Sequence, residues 1–162
     1  MKIIKYIIVS LILLFTTTIS SNLYAATITV KIGELRNCSG KISLTVFDKK
    51  ADFPNAESAI FEKRVNPEMK DGEIEAIILL KNISPGYYAL SVTHDENDNK
   101  KLDTGFLGIP SEGIGGTLNH NGPQLGPPTW EQARIKISNN TILEVSMNYI
   151  GGKRKIDLKT CS

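Results

Sequence analysis

The chain has 162 residues, 41% hydrophobic and 22% charged, a mixture that fits one globular domain and argues against wholesale disorder. Nineteen Lys and Arg face seventeen Asp and Glu, and two of the basic residues, Lys2 and Lys5, stand in an amino-terminal leader, so the remainder balances at 17 against 17. A broad electrostatic field for nucleic acid or an anionic membrane is therefore not supported.

The leader is residues 1–25. Lys2 and Lys5 precede the apolar run Ile7-Ile8-Val9-Ser10-Leu11-Ile12-Leu13-Leu14-Phe15, and a polar stretch ends in Leu23-Tyr24-Ala25-Ala26. Basic, apolar and small-residue regions in that order mark a secretory signal peptide, with cleavage expected after Ala25. The apolar core is about half of the ~20 residues that span a bilayer, and no later segment is apolar enough to do so. No transmembrane segment is expected after signal removal, and the product is expected to be periplasmic or secreted. Cys38 and Cys161 are the two cysteines. In an oxidising compartment they read as one structural disulfide; the alternative, a reactive thiol, lacks the basic context that lowers a thiol pKa.

Residues 26–162 form one domain, and its periodicity is mostly two. Ile28, Val30 and Ile32 alternate with polar neighbours up to Gly33, and Ile42, Leu44 and Val46 do the same; the turn residues Asn37-Cys38-Ser39-Gly40 between them predict a hairpin. A third strand runs through Ile74, Ala76, Ile78 and Leu80, where the intervening Ile77 and Leu79 suggest burial on both faces. A fourth carries Tyr88, Leu90 and Val92 out of the Pro85-Gly86 turn, with Gly86 at positive φ and one of Tyr87 and Tyr88 in the core. Ile135 and Ile137 mark a fifth. Asn139-Asn140, turning at positive φ, leads to a sixth through Ile142, Leu143, Val145 and Met147. Helix signals are confined to a turn within Asn55–Arg64 and another after Pro127-Pro128 capped by Thr129. Short strands without crossover helices predict an all-β antiparallel sandwich. Thr104 to Pro128 holds seven glycines and four prolines. Its apolar members Phe106, Leu107, Ile109, Ile114 and Leu118 argue for an ordered Gly/Pro-rich loop folded over one end of the sandwich.

His94-Asp95-Glu96-Asn97-Asp98-Asn99-Lys100-Lys101-Leu102-Asp103 follows the fourth strand. Oxygen-bearing side chains at Asp95, Asn97, Asn99 and Asp103, with the Lys101 main-chain carbonyl, suit a hard cation that takes six to eight oxygens. The run resembles the first nine positions of an EF-hand or dockerin-type calcium loop. Lys100 stands where Gly is usual and Phe106 where a bidentate Glu is usual, so Glu112 or water is left to complete the set. Binding in the range of about 10⁻⁴–10⁻³ M follows. The alternative is a solvated acidic turn whose Asp and Asn side chains bond their own backbone.

The segments Asn82-Ile83-Ser84-Pro85-Gly86-Tyr87-Tyr88-Ala89-Leu90, His94-Asp95-Glu96-Asn97 with Leu102-Asp103, Phe106-Leu107-Gly108-Ile109-Pro110-Ser111-Glu112-Gly113 and Gly126-Pro127-Pro128-Thr129-Trp130-Glu131-Gln132-Ala133 resemble the bacterial "domain of unknown function 2141" family. That resemblance implies an exported protein of one small β domain and supplies no established activity, substrate or catalytic residue. The chain departs from the family's usual pattern at Lys100 and at Gly115-Gly116-Thr117. Ile83-Ser84-Pro85-Gly86-Tyr87-Tyr88 is also similar to the corner of prealbumin-like sandwiches, which points to a prealbumin-like or immunoglobulin-like topology.

An enzyme reading would gather His94, Asp95, Glu112 and His120 at one end of the sandwich, with His94 as base. No HExxH or GxSxG motif supports it, and the opposing reading has His94 closing a strand with His120 exposed. Trp130 either stacks on a sugar or packs the loop onto the core. Lys153-Arg154-Lys155 reads as solvated tail. The expectation is an exported, non-catalytic binding or envelope-associated module with a weak Ca2+ loop, whose partner is a protein or glycan of the cell envelope and not nucleic acid. His94, His120 and Trp130 are its candidate ligand contacts. The alternative is a small periplasmic hydrolase-like enzyme using His94, Asp95 and Glu112.

Overall fold

A computed structural model describes residues 25–118, 126–150 and 156–161. Residues 1–24 of the expected leader, His120 and the Lys153-Arg154-Lys155 cluster lie outside those residues. Among the described residues nine strands follow in chain order: β1 (Ala26–Gly33), β2 (Lys41–Phe47), β3 (Phe61–Val65), β4 (Glu68–Lys70), β5 (Glu73–Ile83), β6 (Gly86–Asp95), β7 (Gly113–Gly116), β8 (Ile135–Ile137) and β9 (Thr141–Ser146). They form a four-stranded sheet in the order β4-β5-β1-β9 and a second sheet in the order β3-β2-β6-β7, with β8 also paired to β6.

Side chains alternate across a strand, so every second residue faces the gap between the sheets. Ile28, Val30 and Ile32 of β1 and Ile74, Ala76, Ile78 and Leu80 of β5 meet Ile42, Leu44 and Val46 of β2 and Leu90 and Val92 of β6 in one core. Each large aliphatic side chain removed from water there contributes about 1.5–3 kcal/mol before entropy is charged against it. The all-β sandwich expected from the two-residue period is what forms.

Several expectations about its wiring are corrected. β1 and β2 are not a hairpin: β1 pairs with β5 and β9 in one sheet, while β2 pairs with β3 and β6 in the other, so the chain crosses the core between them. The sheets are not purely antiparallel, because β1 and β9 run parallel from Ile28 opposite Thr141 to Gly33 opposite Ser146. β5 is not buried on both faces; Ile77 and Leu79 are 43% and 45% exposed on the outer side. Asn55–Arg64 holds one 3-10 turn at Ala56–Ser58, and the rest enters β3. The Pro85-Gly86 corner takes its positive φ at Asn82 (61°), not at Gly86. Gly86 sits close under its neighbour, since a Cβ there would lie 3.3 Å from the Tyr88 ring, a tight contact. Asn139 and Asn140 are not left-handed either; the Asn140 side chain instead accepts from the Thr27 amide at 2.8 Å. Tyr88 is the buried member of its pair, its hydroxyl donating to the Ser84 carbonyl at 2.8 Å, and Tyr87 lies under Arg134 on the surface.

The Gly/Pro-rich stretch is ordered where it is described, but Phe106 and Leu107 are 86% and 81% exposed and do not fold back onto the sheet. Its middle carries β7, and a single helical turn, α1 (Trp130–Ala133), follows it, capped by Thr129 as expected, the Thr129 amide donating to Gln132 Oε1. Trp130 and Ala133 pack with Phe47, Ala89, Phe53 and Ala59 in a second, smaller cluster. By strand alternation Phe47 and Ala89 lie on the face of the five-stranded sheet opposite the main core. Cys38 and Cys161 form the expected disulfide, with Cα atoms 5.0 Å apart. It ties the end of the chain beside the β1–β2 connection, where Cys38 N donates to Thr160 Oγ1.

Candidate functional site

β6 delivers His94 and Asp95 to one end of the sandwich, and strand geometry sends them to opposite sides. His94 follows Leu90 and Val92 into the core and is fully buried. Its Nε2 faces the Ser39 carbonyl at 2.9 Å and its Nδ1 the Tyr149 hydroxyl at 2.7 Å. A carbonyl only accepts, so Nε2 carries the proton and Nδ1 accepts from Tyr149. Burial drives the imidazole below its ordinary pKa, against the Ser39 carbonyl and the Glu96 and Asp95 charges, which raise it. A neutral ring with both nitrogens bonded closes the strand and has no face toward a substrate. That is the geometric obstacle to a His94–Asp95–Glu112 catalytic group.

Asp95 takes the opposite side of the strand, is itself buried at 1% exposure, and organises the loop that follows. Its Oδ1 accepts from the Asn99 amide at 3.0 Å, and its Oδ2 from the Lys100 amide at 2.8 Å and from Arg64 Nη2 at 2.6 Å. Asn97 Oδ1 accepts from the Asn99 amide and Asn99 Oδ1 from the Lys101 amide, each two residues on. These successive side-chain turns wind the backbone tightly, with Asp98 and Lys100 left-handed at φ 57° and 65°. Lys100 thus adopts the conformation for which glycine is usual, at a cost of about 1–2 kcal/mol. The winding brings Asn97, Asn99 and Asp103 together: Asn97 Nδ2 donates to Asp103 Oδ2 at 2.6 Å, and Asn99 Nδ2 to Asp103 Oδ1 at 3.0 Å. Asp103 is half-buried while both asparagines are exposed.

Glu112 is 4% exposed, and its two oxygens accept from the Glu96 amide (2.9 Å) and the Asp103 amide (3.0 Å). It therefore clasps the two ends of the loop, and its carboxylate is committed to backbone. Among the described residues no group of three or more His, Cys, Asp or Glu side chains is gathered to hold a metal; the cluster is a mixture of carboxylates and amides.

Two arginines complete the site, and sequence reasoning missed both. Arg64, from β3, bonds Asp95 and Asp98. Burial pushes the Asp95 carboxyl up, but Arg64 and the Lys100 and Asn99 amides outweigh it and hold it below the ordinary carboxylate value. Arg36 pairs with Glu96, donates to the Ser111 carbonyl at 3.1 Å and lies 4.4 Å from the centre of the Tyr149 ring. Burial likewise raises Glu96, and the Arg36 and Asn37 bonds bring it below its usual value. Their partners are 31 and 60 residues away in sequence, so no local spacing signals them. Gly40 fits against this end because a Cβ would fall 1.9 Å from the Asp95 carbonyl oxygen. Trp130 sits in the smaller cluster at 9% exposure, its ring 6.1 Å from that of Phe53, so its broad face is covered.

The family model described as an uncharacterized protein conserved in bacteria, DUF2141, matches residues 30–144, from within β1 into β9. The chain belongs to the DUF2141 family. The matched span contains Gly40, Arg64, the whole Asp95–Asp103 loop and Glu112. Comparisons with curated proteins and with solved structures found no match. For this DUF2141 chain, what the loop does has to be argued from its own geometry.

Proposed function

We propose that the chain is an exported module of the cell envelope that acts by binding a protein or glycan, and that its Asp95–Asp103 loop takes up one calcium ion weakly. The carrying observation is the convergence of Asn97 and Asn99 on Asp103 above a backbone wound around Asp95. Asp95, Asn97, Asn99, the Lys101 carbonyl and Asp103 would hold the ion, with the side-chain amides rotating to present oxygen in place of nitrogen. Arg64 already neutralises part of Asp95, and Glu112 is engaged by backbone, so few charged oxygens remain and affinity near 10⁻⁴–10⁻³ M is expected. The ion's role is to stiffen the loop. Export is supported by the order of basic, apolar and small residues in positions 1–25 and by the Cys38–Cys161 disulfide, a bond favoured in oxidising compartments. The preference for binding over catalysis by His94 is supported by its buried ring, spent on Ser39 and Tyr149.

Thermal unfolding with and without calcium tests this. Calcium at a hundredfold over Kd stabilises a folded state by about 2.7 kcal/mol, so the midpoint should rise, and Asp103→Asn should abolish the rise. A midpoint that ignores calcium raised to about 100 mM at constant ionic strength, a hundredfold over a Kd near 10⁻³ M, refutes the ion. Recovery of the natively expressed protein with its leader attached, in the cytoplasm, refutes export.

A further inference from the structure

The loop that leaves Asp103 and returns to Glu112 ends in a tip unlike any other part of the surface. Phe106 is 86% and Leu107 81% exposed, more than any other large hydrophobic among the described residues, with Leu102 at 44% and Ile109 at 43% beside them in sequence. The tip is built, not frayed. Thr104 and Pro110 form an antiparallel bridge, Gly105 N donates to Ile109 O at 2.7 Å, Gly108 N to Gly105 O at 3.3 Å, and Ile109 N to Phe106 O at 3.4 Å. Leu107 is held left-handed at φ 61°, a conformation that a leucine resists and that persists only where the surroundings impose it. Ser111 N and Oγ both bond the Asp103 carbonyl, anchoring the tip to the loop that Glu112 clasps.

We propose that Phe106 and Leu107 form a wedge that inserts into the interfacial region of a phospholipid bilayer bearing anionic headgroups. Three features favour a bilayer over a protein groove. A few side chains on a narrow tip fall far short of the about 800 Å² per partner of a stable protein interface, whereas insertion into lipid rewards each apolar side chain without shape complementarity. The amides of Gly105, Gly108 and Ile109 are bonded within the tip, which leaves those of Phe106 and Leu107 to be met by water and headgroup oxygens at the interface. Lys100 and Lys101 are exposed and enter none of the ion pairs among the described residues, while the neighbouring acids are occupied, Asp98 by Arg64 and Asp103 by Asn97 and Asn99. Two lysines outside those ion pairs, a few residues before the tip in sequence, complement anionic headgroups, although the chain beyond its leader is balanced. The proposal does not rest on calcium.

The test is cosedimentation of the exported chain, its amino terminus established by mass, with vesicles of equal parts phosphatidylglycerol and phosphatidylcholine. Wild type should sediment with them and less well with phosphatidylcholine alone. Phe106→Ser combined with Leu107→Ser should lower the bound fraction about tenfold or more, with the unfolding midpoint unchanged because both side chains are in water. Both proteins carry the same amino terminus, so the difference reports the tip. Leu107→Gly, which relieves the left-handed leucine, serves if the double variant fails to fold: it should be at least as stable as wild type and bind vesicles less. Wild type that stays in the supernatant, or variants that bind as wild type does, overturns the proposal. So does a tip substitution that converts a dimer to a monomer, which would assign the tip to a second copy of the chain.

Discussion

Glu112→Gln isolates the clasp that closes the Asp95–Asp103 loop. The wild-type carboxylate accepts from two backbone amides, Glu96 N on Oε1 and Asp103 N on Oε2, at a site 4% exposed. Glutamine keeps the shape but replaces one acceptor by an NH2, so one amide loses its bond and meets another donor. A buried donor left unsatisfied costs about 1–3 kcal/mol, and the surviving bond loses its charge assistance, so a total near 2–4 kcal/mol is expected. Urea unfolding measures the loss. Amide hydrogen exchange locates it, with Glu96 or Asp103 losing protection while Ile78 and Leu90 exchange as before once the global change is subtracted. Glu112→Gln with wild-type stability and wild-type protection at both amides would refute the clasp.

Three further outcomes follow from the same end of the molecule. Gly40→Ala places a Cβ against the Asp95 carbonyl and forces an alanine to φ 64°, so a loss of at least about 3 kcal/mol is expected in denaturant unfolding, and a loss below 1 kcal/mol would contradict the contact. Replacing both cysteines by serine opens a bridge spanning 123 residues of sequence, for which chain entropy gives about 5 kcal/mol, read as the difference in unfolding free energy between oxidised wild type and the variant; a difference under 1 kcal/mol would show that the bridge constrains little. His94 has a folded pKa below its unfolded value near 6.5, so its contribution is complete above that pH and declines as pH falls toward the folded pKa, with a slope of at most about 1.4 kcal/mol per unit. Asp95 and Glu96, also lowered, add a second decline beginning near the unfolded carboxylate values of about 4. His94→Gln should remove the first decline and leave the second, and persistence of the first in the variant would reassign it.

The strands legible in the sequence were those with an inward apolar row, β1, β2, β5, β6, β8 and β9, because alternation is imposed by the core they bury. β3 and β4 escape that logic: all three residues of β4 and the first three of β3 are exposed. β7 escapes for the opposite reason. Its Gly-Ile-Gly-Gly reads as loop, yet a Cβ on Gly113 would lie 2.5 Å from the Tyr149 ring and one on Gly115 2.9 Å from Met147 Sδ, so these glycines mark close packing of a strand. The assumed β1–β2 hairpin failed because turn residues between two strands do not say whether the chain stays in its sheet. At the site, the Asp-x-Asn-x-Asn spacing made the tight winding readable, since those side chains bond backbone two to five residues ahead. Arg64 was not readable, because its strand carries no pattern and its partner lies on β6.

The most direct measurement is a calcium titration of the isotopically labelled chain followed by backbone amide resonances. The amides of Asn97, Asn99, Lys101 and Asp103 are expected to move together with half-saturation in the range of about 10⁻⁴–10⁻³ M, while those of β1, β2 and β5 stay still. Resonances from Asp95 to Asp103 that remain unmoved up to about a hundredfold over that range would contradict the account and leave the Arg64 charge and the asparagine N–H donors as the loop's own partners.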